Sequence, residues 1–80
     1  MDIAVEISMY PLSKDYLAPI QQFIDRLHAN DKLTVQTNTM STQVLGEYDV
    51  VWDALREAMR LSLQAGPKAV FVTKFLPRDA

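Results

Sequence analysis

The 80-residue chain has no cysteine, one histidine, two glycines and no apolar run near the roughly 18 residues that cross a bilayer. Without thiols there is no thiolate nucleophile, Fe–S cluster or dithiol redox pair, and one imidazole cannot build a His-rich metal cage. Cations are scarce as well. Eight Lys and Arg against ten Asp and Glu leave a formal net charge of −2, so no positive field gathers phosphates or anionic lipid, and nucleic acid is not an expected partner. Met1-Asp2-Ile3-Ala4 lacks the basic start and apolar stretch of a signal peptide. The expectation is a cytoplasmic protein with no membrane insertion, metal or cofactor.

What is present is ordinary globular composition: 49% hydrophobic and 22% charged residues, which argues against a fibre, a coiled coil or a disordered tail. The length suits one small domain over residues 1–80. A core of that size leaves a margin of roughly 4–12 kcal/mol. With no disulfide to add to it, association between chains is expected.

Ile3, Val5, Ile7 and Met9 alternate with Asp2, Ala4, Glu6, Ser8 and Tyr10, the period of a half-buried strand, and Pro11 ends its ladder. Ser13 and Asp15 are both candidate N-caps for a helix over about 15–29 with a stripe of Leu17, Ile20, Phe23 or Ile24, and Leu27. Pro19 falls near the first turn, where N–H groups have no intrahelical acceptor. Asn30-Asp31 supplies a turn. A polar strand from Leu33 to Asn38, a reversal at Thr39-Met40 and a strand from Ser41 to Gly46 then read as a hairpin. Asp49 is placed to cap a helix to Ala65, with Val51, Leu55, Ala58, Ser62 and Ala65 inward and Gly66-Pro67 as its stop. A strand from Ala69 to Phe75 follows, closed by Pro77, with Arg78-Asp79-Ala80 as a short tail.

The order βαββαβ with right-handed crossovers predicts an α+β ferredoxin-like plait: a four-stranded antiparallel sheet with both helices on one face and the first and last strands at its centre. The other face has no helix, so what lies there meets water, a ligand or another chain. With Ile3, Val5 and Ile7 assigned inward, that open face shows Ala4, Glu6, Ser8 and Tyr10 from the first strand. The hairpin adds Thr34, Gln36, Asn38, Ser41 and Gln43. Amides, hydroxyls, one acid and a flat phenol suit a small polar, aromatic or cationic ligand. The simpler alternatives are a solvated sheet face or a chain-to-chain interface. For Ser41-Thr42-Gln43 the simpler alternative is local backbone hydrogen bonding within the hairpin, and for Glu6 an ion pair with Lys74 on a neighbouring strand. His28, near the end of the first helix, reads as structural. Tyr48 and Trp52 read as packing or interface residues, and Asp53, Arg56, Glu57 and Arg60 as a solvated helix face.

Absent patterns narrow the chemistry further. Tyr10-Pro11-Leu12-Ser13-Lys14 has no arginine or glycine for an acylphosphatase-type anion loop. No basic surface with exposed aromatics signals RNA binding, and no nucleophile stands beside a recognisable base. The chain is not expected to be an enzyme.

Ile7-Ser8-Met9-Tyr10-Pro11-Leu12 and Thr37-Asn38-Thr39-Met40-Ser41-Thr42-Gln43-Val44-Leu45-Gly46, followed by Glu47, resemble the YkoF-like thiamine-binding family, whose relatives include MTH-type single-domain proteins of unknown role. The resemblance spans nearly the whole chain, and the Met-Ser-Thr-Gln-Val segment with its following glycine and acid is its most specific part. It implies a ferredoxin-like domain that binds thiamine or its hydroxymethylpyrimidine moiety in salvage or transport without catalysing a reaction. Some members carry two such domains in tandem, so for this chain the resemblance implies a homodimer or homotetramer formed through sheets or edges. The candidate ligand-binding residues are Glu6, Ser8, Tyr10, Asn38, Ser41, Thr42 and Gln43. These are expected to project from the open face toward one hollow. The alternative is a structural or regulatory oligomerisation module with no small ligand.

Overall fold

The alternating residues of the opening segment form β1 (Asp2–Pro11), with Ile3, Val5, Ile7 and Met9 buried on one face. In the computed structural model, which describes residues 1–78, there follow α1 (Leu17–His28), β2 (Thr34–Thr37), β3 (Thr42–Glu47), α2 (Tyr48–Ala65) and β4 (Ala69–Pro77). The last two residues of the expected tail lie outside that description. All strand pairs are antiparallel and form one sheet in the order β2-β3-β1-β4. This is the expected α+β ferredoxin-like plait.

The expected placement of the first and last strands at the centre is corrected: β1 and β3 are central, and β4 is an edge. Each crossover spans a gap of one strand. The helix after β1 carries the chain past the position that β3 then fills, and the helix after β3 carries it past β1. The register Val5↔Val44 and Val5↔Phe75 aligns the three strands face to face. Val5 and Ile7 of β1 and Val44 of β3 then meet Phe23 and Leu27 of α1 and Val51, Leu55 and Ala58 of α2 in one buried cluster. Burial of each large apolar side chain there contributes about 1.5–3 kcal/mol.

Helix boundaries depart from expectation at their N-termini. Helix α1 begins at Leu17 with Tyr16 as N-cap and no capping side chain, while the Ser13 hydroxyl accepts instead from the Asp15 N–H. Pro19 is the third helical residue, where its missing donor costs no intrahelical bond. For α2 the cap is Glu47 rather than Asp49: the Glu47 carboxylate accepts from the N–H groups of Asp49 and Val50. A carboxylate at this end also meets the positive pole of the helix. Ala65, expected inward, is exposed. No helix among the described residues is long and apolar enough to cross a membrane.

Candidate functional site

The C-terminal half of β1, the early turns of α1 and the β2–β3 hairpin enclose a cleft of about 150 Å3. Ile7, Met9, Ile20, Phe23 and Ile24 supply its apolar surfaces, and Ser8, Tyr10, Thr37, Asn38, Ser41 and Thr42 supply polar groups. Among the described residues no charged side chain lines it. Phe23 is held from behind by Phe71 of β4, ring centroids 5.2 Å apart and tilted by 53°, an aromatic contact that fixes one wall.

The hairpin owes its shape to Asn38. Its side-chain oxygen accepts from the N–H groups of Met40 (2.7 Å) and Ser41 (2.9 Å), and its own N–H donates to the Ser41 carbonyl at 3.0 Å. This is the Asx geometry that lets asparagine replace a backbone turn, so the local hydrogen bonding expected of this segment is carried by Asn38. The Ser8 hydroxyl reaches toward the Met40 carbonyl at 3.5 Å, tying β1 loosely to the tip.

The expected residues divide between two sides of the sheet. Thr42 is opposite Ile7 and shares the helix-facing side with Val44; it is 5% exposed, and its hydroxyl lies 3.2 Å from that of Thr37. The expectation that Ser41, Thr42 and Gln43 all project from the open face is therefore corrected for Thr42. Successive side chains of a strand alternate, so the middle one points away from its neighbours. Gln43 and Glu6 are direct partners across β3 and β1 on the open face and do not line the cleft. Ser8, Tyr10, Asn38, Ser41 and Thr42 do.

Ser41 joins the two regions. Its hydroxyl donates to Glu6 Oε2 at 3.1 Å, while Lys74 of β4, directly across from Glu6, places Nζ 3.6 Å from Oε1. The ion pair anticipated for Glu6 is thus formed, and it coexists with a contact to the cleft wall. Thr37 was not singled out from the sequence, although its alternation with Val35 puts it on the helix-facing side. The α1 residues Ile20, Phe23 and Ile24 carried no polar signal and read only as core.

A broader groove of about 510 Å3 runs between the helices, lined by Arg26 and Lys32 on one side and Asp53 and Glu57 on the other. Three of these four charges are engaged locally. Arg26 donates to the Ser62 hydroxyl at 2.7 Å, Asp53 pairs with Arg56 at 3.2 Å, and Glu57 pairs with Arg60. The hydrogen bond from Arg60 holds the Glu57 carboxyl below its ordinary range. Tyr48 and Trp52 pack with the sheet as expected of packing residues: Trp52 stacks on Phe75 with centroids 4.5 Å apart and Tyr48 meets it edge-on. Among the described residues there is no group of three or more His, Cys, Asp or Glu that could hold a metal ion.

Solved structures share this fold. The chain is similar to a hypothetical protein from Methanocaldococcus jannascii, with 26% identity, 98% of this chain and 81% of that one covered, and a TM-score of 0.83. It also superposes on a Streptococcus pneumoniae protein with 22% identity, coverage of 99% and 89%, and a TM-score of 0.90. A third is described as a candidate thiamine biosynthesis/salvage protein from Thermotoga maritima, with 19% identity, coverage of 98% and 85%, and a TM-score of 0.87. No curated protein sequence matches the chain. The sequence profile of the YKOF-related family matches residues 2–75, and the chain belongs to that family.

Proposed function

We propose that this is a non-catalytic, cytoplasmic binding protein for thiamine or its hydroxymethylpyrimidine moiety, working as a homo-oligomer, with the pyrimidine ring held in the cleft between β1, α1 and the hairpin. The single observation that carries this reading is the composition of the cleft: hydroxyl and amide groups over apolar walls, with no charged residue among the described residues that line it. Hydroxyls both donate and accept, which matches the mixed edge of an aminopyrimidine, and the exposed phenol of Tyr10 offers aromatic surface to its ring. At about 150 Å3 the cleft is well below the roughly 300–1,000 Å3 of sites for drug-sized ligands, so it suits one ring rather than two. Family membership and the description of the Thermotoga fold neighbour support the same ligand class.

Passive binding is favoured by what surrounds the hydroxyls. Ser41 meets a carboxylate, but that carboxylate is shared with Lys74, and no imidazole stands by to take a proton as serine nucleophiles require. Titration calorimetry with hydroxymethylpyrimidine and with thiamine tests the reading. One ring bound per chain is expected; no heat and no thermal shift at millimolar concentrations of both would overturn it.

A second reading, an oligomerisation module without a small ligand, is favoured by the open face of β4. Val70, Val72 and Leu76 are all exposed there beside Tyr10, and β4 has one edge with no partner strand. The two readings are compatible when the second copy covers the open face and leaves the cleft accessible.

A further inference from the structure

Resting on the reading of the cleft as a pyrimidine site, we propose that Lys74 sets its charge selectivity, so that the cleft takes a neutral aminopyrimidine in preference to its thiazolium-bearing, cationic conjugate. Glu6 does not line the cleft, but its carboxylate is hydrogen-bonded to the wall residue Ser41, and both of its oxygens are in use: Oε1 faces Lys74 Nζ at 3.6 Å and Oε2 accepts from the Ser41 hydroxyl at 3.1 Å. Ser41 is itself a wall of the cleft, so whatever charge Glu6 carries is felt at that wall. The pairing follows from register, because Lys74 and Glu6 are direct cross-strand partners on the open face of β4 and β1, where opposite charges attract.

The consequence lies in the balance of charge. Glu6 and Lys74 together contribute zero net charge beside Ser41, and the described residues of the lining contribute none. A neutral ring loses nothing by this, since its recognition is by hydrogen bonds and packing. A cationic conjugate must leave part of its hydration shell without meeting an unmatched anion, or must displace Lys74 from Glu6. Removing the ammonium would leave an unmatched carboxylate beside Ser41 and shift the preference toward the cation. In the single chain both partners are solvent-accessible, with side chains 78% and 42% exposed, and the effect there is that of a screened surface pair.

The test compares wild type with Lys74→Met, which retains most of the aliphatic stem, and Lys74→Arg, which retains the charge. Each is titrated calorimetrically at low ionic strength with hydroxymethylpyrimidine and with thiamine, after sedimentation has confirmed an unchanged assembly. Lys74→Met is expected to tighten thiamine about two- to fivefold and to leave hydroxymethylpyrimidine unchanged, with 0.5 M salt removing the gain; Lys74→Arg is expected to match wild type. Should Lys74→Met bind both probes with the wild-type ratio of affinities, the proposal is overturned while the pyrimidine site stands. Should neither probe bind any of the three proteins, the site itself is overturned and the selectivity with it.

Discussion

Thr42 is a polar side chain where packing alone would place a valine. It occupies the helix-facing register of β3 next to Val44, 5% exposed, and its hydroxyl is matched by that of Thr37 across the hairpin. A buried hydroxyl with only a threonine for company has capacity to bond a ligand as well. Thr42→Val removes that capacity and nearly preserves shape. Because Thr37 is on an exposed edge strand and regains water, the fold should lose less than about 1 kcal/mol, whereas a ligand bonded to Thr42 should bind about 0.5–1.5 kcal/mol more weakly. Urea unfolding and calorimetry on the same variant separate the two; equal binding would remove Thr42 from the site. Sequence made Thr42 a candidate through its place in the Met-Ser-Thr-Gln-Val segment, but its assignment to the open face failed. Grouping three consecutive strand residues on one side contradicts the two-residue period, and applying that period to Val44 would have turned Thr42 inward.

At the scale of elements, β4 differs from the other strands. It is nine residues long with one unpaired edge, and on the open face Val70, Val72 and Leu76 alternate with a single charge, Lys74, which is turned to Glu6. Natural edge strands are commonly guarded by charge, proline or brevity; β2, with four residues of the sequence Thr-Val-Gln-Thr, has brevity and polarity, whereas β4 has Pro77 only at its end. A second copy of the chain over this face would cover the exposed valines. Val72→Lys should therefore dissociate the oligomer, read as a halved or quartered mass by sedimentation equilibrium, without a large fall in helix content. A wild-type protein that sediments as a monomer would contradict that role for β4. Strand and helix identities were legible from alternation and from the 3.6-residue stripe, because those patterns follow directly from which side chains are buried. The caps were not: α2 starts at Tyr48, so Glu47 holds the cap position and accepts from two free N–H groups while Asp49 is already in the first turn, a matter of geometry that residue preference alone does not reveal. The exchange of β3 and β4 between centre and edge was likewise set by crossover geometry rather than by hydrophobicity.

Across the whole molecule, one sheet presents two different environments. Helices α1 and α2 cover one face with the apolar core, and the other carries Glu6, Gln43, Lys74 and the exposed apolar residues of β4. The cleft opens where these environments meet, at the end of the sheet closed by the hairpin, and Ser41 bridges them through Glu6. The side chains nominated from the sequence are thus divided by the sheet yet connected at its end, an arrangement that depends on Asn38 folding the hairpin tip back over β1 and on α1 residues that no polar motif marks. In the proposed function this end of the sheet, and not the larger groove between the helices, holds a pyrimidine ring. Mapping backbone amide chemical shifts of the 15N-labelled protein during titration with hydroxymethylpyrimidine tests it most directly. Saturable shifts concentrated at Ser8, Tyr10, Thr37 and Asn38 through Thr42 are expected, whereas shifts confined to the residues around Arg26, Asp53 and Glu57, or none at saturating ligand, would place the ring elsewhere or nowhere.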